Sequence, residues 1–293
     1  MKVGFIGIGV MGWPMSVNLI KGGHDLTVFD LDTARAAQFA KEVGGRAAAS
    51  LAEVADNEVV VTMLPTSKIV RQALLEDGGG AFAKAIKPGL IVVDMSSSEP
   101  GDTVELGPKL AERGAILIDA PVSGALPRAI TGELAIMIGG ADEAAIERAT
   151  PVLLAMGKRL FRTGPLGSGH AMKALNNYVA AAGMAAASEA LLIGQRFGLA
   201  GETMVDILNV STGKNFATEH LFKQQVLPGT FSGSFTLALM AKDVNIAADL
   251  GEAMKLDAPM SRLVRDRFAQ ARDKLGGGRD SSAAILAWDE DLG

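Results

Sequence analysis

Three glycines fall within six residues, Gly7-Ile8-Gly9-Val10-Met11-Gly12, directly after an apolar run at 3–6 and before a helix-compatible segment at 14–21. In a strand–turn–helix setting each glycine has its own task. Gly7 permits the tight turn, Gly9 lets the backbone approach a pyrophosphate, and Gly12 lets helix and strand pack closely. The anion would then rest on free N–H groups at the positive end of the helix. Asp30 ends the next apolar run, at 25–29, where a carboxylate accepts hydrogen bonds from adenosine ribose hydroxyls and repels a 2′-phosphate. These residues imply a dinucleotide, NAD in preference to NADP, with Arg35 nearby leaving NADP possible.

A second set of polar residues lies further along the chain. Lys173 and Asn177 are four apart in a stretch, 170–197, that can stay helical throughout, so they share one face. Ala171, Met172, Ala174 and Leu175 leave little polar surface around Lys173. The adjacent Asn176 and Asn177 are unfavourable in such a helix without partners, so at least one is expected to bind ligand. Hydride transfer between an alcohol and a nicotinamide needs a group that takes the hydroxyl proton and then steadies the charged oxygen, and a lysine can do both. Beside a positively charged nicotinamide its ammonium form should be disfavoured. His170, three residues earlier, is the rival base; its other reading is a histidine at the helix start, exposed or packed.

Ser123 follows Asp119-Ala120-Pro121-Val122 at a strand end, on the carboxyl edge where open α/β sheets bind ligands. Its hydroxyl and the neighbouring backbone N–H groups suit a carboxylate. Lys214, in Ser211-Thr212-Gly213-Lys214-Asn215, either pairs with a second acidic group on a substrate or faces water. Nothing resembles a nucleophile elbow or a serine-hydrolase triad. The chain has no cysteine, which excludes thiolate nucleophiles, disulfides and Cys-ligated zinc. His24, His170 and His220 lack metal-ligand spacing, and no structural metal is expected.

The elements that must position these groups follow from the pattern of apolar residues. Up to about residue 162, short apolar runs at 2–6, 25–29, 58–63, 90–94, 116–120, 134–138 and 159–162 alternate with amphipathic segments. That is the pattern of a parallel sheet wrapped by helices. Strand-like runs stop after Gly164-Pro165-Leu166-Gly167-Ser168-Gly169, a segment that also reads as a hinge for closure around a ligand. The predicted fold class is an α/β Rossmann domain, residues 1–163, followed by an all-α C-terminal domain for substrate and oligomerisation, residues 164–293. A length of 293 residues suits two domains. The helix at 170–197 would be about 40 Å long, and its apolar residues lie almost all round, predicting burial on most sides. Loops are expected at 211–216, 227–235 and 276–279, and Met240 reads as core.

A net charge of −5 argues against nucleic-acid or anionic-membrane partners. The opening apolar run is broken by glycines, unlike a signal peptide, and Glu189 interrupts the Ala-rich stretch 178–192, so a cytoplasmic protein without a membrane span is expected. The apolar long helix points to a homodimer or homotetramer.

The block from Phe5 through Gly12 to Leu19 resembles the N-terminal signature of the β-hydroxyacid dehydrogenases, a family that includes 3-hydroxyisobutyrate dehydrogenase and tartronate semialdehyde reductase. Three further blocks stand in that family's order: Asp119-Ala120-Pro121-Val122-Ser123-Gly124, then Gly167-Ser168-Gly169-His170-Ala171-Met172-Lys173-Ala174-Leu175-Asn176-Asn177, then Lys242-Asp243. The resemblance spans the whole chain. It implies that Met11, Leu64, Pro65 and Ser96 line the cofactor and that Lys242 reaches its nicotinamide end. It implies as well that Ser123 and Gly124 bind a substrate carboxylate, and that Lys173 and Asn177 flank the reacting carbon. Where the family commonly has Ser-Gly-Gly, this chain reads Ser123-Gly124-Ala125, keeping a backbone donor at 125 without the glycine.

The expected activity is NAD-dependent interconversion of a small 3-hydroxyacid and its semialdehyde or keto form, resembling 3-hydroxyisobutyrate dehydrogenase, with tartronate semialdehyde or another short semialdehyde as the alternative. An imine reductase of the same architecture is disfavoured by Lys173, and a 6-phosphogluconate dehydrogenase needs a larger C-terminal domain than residues 164–293 supply. A dinucleotide-binding scaffold without catalysis is the distant alternative; it would be free to lose Ser123, Lys173 and Asn177, which are all present.

Overall fold

Residues 59–62 and 91–94 are apolar up to their last position and buried at every one. Runs without alternation are what the central strands of a parallel sheet need when helices cover both faces. The computed structural model describes residues 1–233 and 235–289; Ser234, inside the loop expected at 227–235, and residues 290–293 lie outside them. The chain divides into two compact units, Met1–Lys173 and Ala174–Gly293.

In the first unit nine strands form one sheet: β1 (Lys2–Ile6), β2 (Asp25–Phe29), β3 (Arg46–Ala47), β4 (Val59–Thr62), β5 (Ile91–Asp94), β6 (Ile116–Asp119), β7 (Val122–Ser123), β8 (Leu134–Gly139) and β9 (Gly157–Gly164). Their order is β3-β2-β1-β4-β5-β6-β8-β7, with β9 paired to β8. The first six pair in parallel. This is the 3-2-1-4-5-6 arrangement of a Rossmann domain, with its switch point between β1 and β4. The seven expected strands are present. The two unread ones, β3 and β7, have two residues each, too few to carry a period-2 signal.

The sheet is not parallel throughout, which corrects one expectation: β8 runs antiparallel to β6 and β7. A parallel return requires a crossover of a dozen or more residues. Between Ser123 and Leu134 the chain has room only for a seven-residue helix, Ala125–Thr131, and so doubles back.

Side chains alternate across the sheet as the pleat requires. Phe5, Val59, Val61, Ile91 and Val93 enter one buried cluster, and Ile6, Val60, Val92 and Leu117 enter another. The helices of this unit are α1 (Gly12–Lys21), α2 (Thr33–Glu42), α3 (Leu51–Ala55), α4 (Ser67–Arg71), α5 (Asp77–Ala85), α6 (Pro100–Ala111), α7 (Ala125–Thr131) and α8 (Glu143–Met156). Met15 and Leu19 of α1 with Ile146, Ala149 and Leu153 of α8 fill the first cluster; Leu106 and Leu110 of α6 help fill the second. Asp32 and Asp142 cap α2 and α8 by accepting N–H bonds from Arg35 and Ala145.

A 30-residue helix, α9 (Ser168–Phe197), starts in the first unit. The second unit, from Ala174 on, is helical: the rest of α9, then α10 (Gly201–Asn209), a π-helical stretch at Ala217–Val226, α11 (Leu237–Ala253), α12 (Pro259–Leu275) and the short α13 (Ile285–Trp288). Its core joins Leu191, Phe222, Leu237, Met240, Val244 and Phe268. Phe268 meets Trp288 edge to face at 5.4 Å, and the Arg267 guanidinium lies 4.9 Å from the Trp288 ring centre. The long helix is less covered than its composition predicts. Ala181, Met184, Ala187 and Leu191 are buried, whereas Val179, Ile193 and Phe197 are exposed. Among the described residues, no helix is long and apolar enough to cross a membrane, and no three metal-ligating side chains cluster.

Removing the buried ring in Phe268→Ala is expected to destabilise the second unit by about 3–5 kcal/mol. Urea unfolding followed through Trp288 fluorescence, with Trp13 replaced by Phe, measures it. A loss under about 1 kcal/mol would show that this ring does not anchor the core.

Candidate active site

The glycine turn sits at the carboxyl end of β1, beside the end of β4. Gly7 holds φ +92°, and a Cβ there would lie 2.5 Å from the Met63 carbonyl oxygen. A Cβ on Gly12 would collide with the Gly7 carbonyl oxygen. Both are therefore required by the chain's own atoms, one for the turn and one for the close approach of α1 to β1. Gly9 differs: a Cβ on it would meet nothing within 4 Å. Its absent side chain leaves open space beside the N-terminus of α1.

Asp30, just past β2, is fixed from two sides. Its Oδ2 accepts the Ile8 N–H at 2.9 Å and its Oδ1 the Asp32 N–H at 2.9 Å. Each oxygen keeps acceptor capacity for a further donor. Arg35 lies 4.0 Å from Asp30 and 3.5 Å from Asp32. At the ends of β4 and β5, the buried Ser96 hydroxyl accepts the Leu64 N–H at 2.9 Å, so the turn at Leu64 and Pro65 is tied to the next strand. Met11 stands at the N-cap of α1. The expected cofactor residues of the first unit thus gather at the carboxyl ends of β1, β2, β4 and β5.

Next to them is a polar cluster built on two aspartates to which sequence reasoning gives no role. Asp94 and Asp119 end β5 and β6, are paired in register, and are both buried. Asp94 accepts hydrogen bonds from the Thr62 hydroxyl (2.8 Å), the Ser96 N–H (3.0 Å) and the Ser98 hydroxyl (2.7 Å). Asp119 accepts the N–H groups of Gly167 (2.7 Å) and His170 (2.9 Å) at the start of α9. The His170 ring is wholly buried, its Nδ1 2.8 Å from the Thr103 hydroxyl and its Nε2 3.7 Å from Asp94 Oδ2. Of the two readings of this histidine, the packed one describes the structure. A carboxylate immediately after an apolar strand was the available signal for both aspartates.

Ser123 closes β7, and Gly124 follows at φ +133°. A Cβ on Gly124 would lie 2.6 Å from Arg128 Cδ, so the glycine leaves room for that side chain. Ala125 opens α7 at φ +53°. The chain keeps here the left-handed backbone that a glycine adopts freely, although alanine carries a Cβ that disfavours it.

In the second unit the asparagines find partners within the protein. Asn177 donates to Oδ2 of the buried Asp243 at 2.6 Å, and Asn176 donates to Asn177 Oδ1 at 3.1 Å. The inference that one of them needs a ligand to be satisfied is thereby weakened, and Asp243 joins the residues that orient Asn177. Lys242 lies 3.4 Å from Asp243 Oδ1. Lys214 pairs with Glu219 at 2.9 Å, and the hydrogen bond from its ammonium holds the Glu219 carboxyl below its ordinary range. Asn215 beside it caps the π-helical stretch by accepting the Ala217 N–H at 2.9 Å. Lys173, partly buried, ends the first unit on α9, one turn before Asn177.

Comparison with known proteins assigns both halves of the chain. Residues 2–164 match the NAD binding domain of 6-phosphogluconate dehydrogenase, and residues 167–288 match the NAD-binding domain of NADP-dependent 3-hydroxyisobutyrate dehydrogenase. Among curated proteins, 2-(hydroxymethyl)glutarate dehydrogenase of Eubacterium barkeri is 36% identical over 100% of this chain and 96% of its own length. The 3-sulfolactaldehyde reductase of Escherichia coli is 35% identical over 97% of this chain and 94% of its own. Among solved structures, Mycobacterium tuberculosis 3-hydroxyisobutyrate dehydrogenase with L-serine superposes with a TM-score of 0.89 at 32% identity, covering 98% of each chain. Fold and matches together define an NAD(P)-dependent oxidoreductase built on a Rossmann domain. The chain belongs to the β-hydroxyacid dehydrogenase family.

Because a Cβ at position 12 meets backbone, which cannot swing aside, Gly12→Ala is expected to cost about 2 kcal/mol or more. Chemical denaturation of the apo-protein checks this; unchanged stability would mean that α1 and β1 approach less closely than described.

Proposed function

We propose that this protein oxidises a small 3-hydroxyacid to its semialdehyde, and runs the reverse reduction, in the manner of a 3-hydroxyisobutyrate dehydrogenase, with NAD as cofactor and Lys173 as general acid and base. What carries the proposal is that Ser123, Lys173 and Asn177 are all present in a chain matching, over its full length, relatives named for short acids with a hydroxymethyl or aldehyde carbon. L-serine, in the mycobacterial structure, is another such acid.

The open space at Gly9 and the backbone N–H groups at the start of α1 fit a pyrophosphate. Asp30, with acceptor capacity left on both oxygens, fits two ribose hydroxyls. A 2′-phosphate there would meet that carboxylate, which is the basis for NAD over NADP, while Arg35, beside Asp30 and Asp32, leaves NADP possible. Met11, Leu64, Pro65 and Ser96 would line the dinucleotide, and Lys242 would reach its nicotinamide end. Bound nicotinamide supplies the hydride acceptor for oxidation and the donor for reduction.

Ser123 and the backbone N–H groups at Gly124 and Ala125 would hold the substrate's acid group, with Lys214 as a further cation for a second acidic group. The Lys173 amine takes the hydroxyl proton on oxidation and returns it on reduction, its ammonium form steadying the oxygen between. Asn177, its amide turned by Asp243, shares the reacting face of the helix. Residues 1–163 would act as the dinucleotide domain and 164–293 as the substrate and oligomerisation domain, a division near that of the two family matches. Self-association as a homodimer or homotetramer is supported by exposed apolar side chains in the second unit, with Ile193 69%, Phe197 84% and Val210 87% accessible.

An assay at the absorbance of reduced nicotinamide tests the reading, with NAD or NADP against 3-hydroxyisobutyrate, 2-(hydroxymethyl)glutarate and L-serine, and with NADH or NADPH against tartronate semialdehyde. Turnover of one of them with NAD, or with NADH for the semialdehyde, is expected, falling about 100-fold or more in Lys173→Ala; near-wild-type turnover by that variant would remove Lys173 from the chemistry. Gly9→Ala separates cofactor binding from folding. It should weaken NADH binding about tenfold or more while changing stability by less than about 0.5 kcal/mol, and unaltered NADH affinity would place the pyrophosphate elsewhere.

A further inference from the structure

The start of α9 is held by residues distant in sequence. The first N–H groups of a helix have no partner within it and are usually capped by a side chain just upstream. The residue just upstream of α9 is Gly167, which has no side chain to serve, and the hydroxyl of Ser168, the first helical residue, lies 2.8 Å from the Thr163 hydroxyl. The cap is Asp119 at the end of β6, whose two oxygens take the N–H groups of Gly167 and His170 at 2.7 and 2.9 Å. Charge-assisted bonds of this kind at the positive end of a helix are strong. A local cap fixes a helix only to its own loop; this one ties the first turn of α9 to the end of β6.

The surroundings are cut to fit that carboxylate. A Cβ on Gly139 would collide with Asp119 Oδ1, and one on Gly169 would lie 2.8 Å from Oδ2. His170 adds a second hold on the same turn. Its ring, buried between Asp94 and the Thr103 hydroxyl, stays put because Thr103 also donates to the Glu99 carbonyl at 3.1 Å. Lys173 follows His170 by three residues, on the next turn, so the point from which its side chain leaves the helix is set by this anchorage.

We propose that Asp119 is a positioning residue for the reaction, setting the location of Lys173 through the first turn of α9, with Thr103 assisting through His170. The inference rests on the acid/base reading of Lys173. Misplacing a reacting group by about 1 Å can cost 100-fold in rate, so the effect should appear in turnover rather than in binding.

Asp119→Asn keeps the shape but turns an amide toward one of the two N–H donors. Per NADH-binding site, its kcat should fall about tenfold or more, with the KM for the hydroxyacid and the Kd for NADH changed less than about twofold. In the Lys173→Ala background the same substitution should lower the residual rate no further, because the group it positions is gone. Hydrogen exchange across residues 167–175 should quicken in Asp119→Asn. A cap that serves stability alone predicts a lower Tm with kcat per binding site unchanged, and that result overturns the proposal. Equal losses in both backgrounds overturn it too, since Asp119 would then act on something other than Lys173. Full turnover by Lys173→Ala itself overturns the acid/base reading and this inference with it, a result distinguishable from the other two. If Asp119→Asn does not fold, Thr103→Val decides: about a threefold loss of kcat, absent in the Lys173→Ala background, supports the assignment, and unchanged kcat refutes it.

Discussion

Two carboxyl groups buried side by side impose the strictest condition on this structure. Asp94 and Asp119 end adjacent strands in register and are shut away from water, and a buried carboxylate is tolerable only when donors surround it. The donors come from all around the carboxyl edge: Thr62 from β4, Ser96 and Ser98 from the segment after β5, and Gly167 and His170 from the start of α9. Satisfying them draws those segments together. Ser96, held by Asp94, in turn holds Leu64. The turn expected to line the cofactor and the first turn of the helix expected to carry the base are thus tethered to neighbouring strand ends.

The three glycines of the first turn show how differently one motif can be constrained. Gly7 and Gly12 answer to backbone atoms of the protein itself, whereas Gly9 faces open space. A sequence shows three identical letters. Only the local packing separates the two that the fold requires from the one that the fold leaves free.

Much of the architecture was legible because it rests on local periodicity. Short apolar runs mark seven of the nine strands of the first unit, and uninterrupted helical spacing marks α9 to its last residue, Phe197. What escaped notice depends on partners far away in sequence. The reversal at β8 follows from how little chain separates it from Ser123, and the two-residue β3 exists only through its pairing with β2. Nothing near in sequence shows a partner for Asn176 or Asn177, and the one that Asn177 has, Asp243, stands 66 residues away. The apolar composition of the long helix predicts cover on most sides, yet Val179, Ile193 and Phe197 are exposed, because composition reports how apolar a face is and not whether the same chain covers it. Asp119, Thr103 and His170 were visible as letters but not as a cluster, because their contacts span 51 and 67 residues.

If Asp30 receives the adenosine ribose as proposed, it couples cofactor choice to the integrity of the loop that would hold the cofactor. Its two oxygens secure the N–H groups of Ile8, inside the glycine turn, and of Asp32, at the cap of α2. A lineage drifting toward a phosphorylated dinucleotide cannot simply discard this acid for a small or basic residue, because the turn would lose an anchor at the same moment as the adenosine pocket gained a new preference. The accessible route keeps an acceptor at position 30 and recruits positive charge from the start of α2, where Arg35 already stands. Cofactor exchange in this fold would then proceed by adding charge beside the acid before removing it, a constraint on the order of substitutions that a comparison of end points alone would miss.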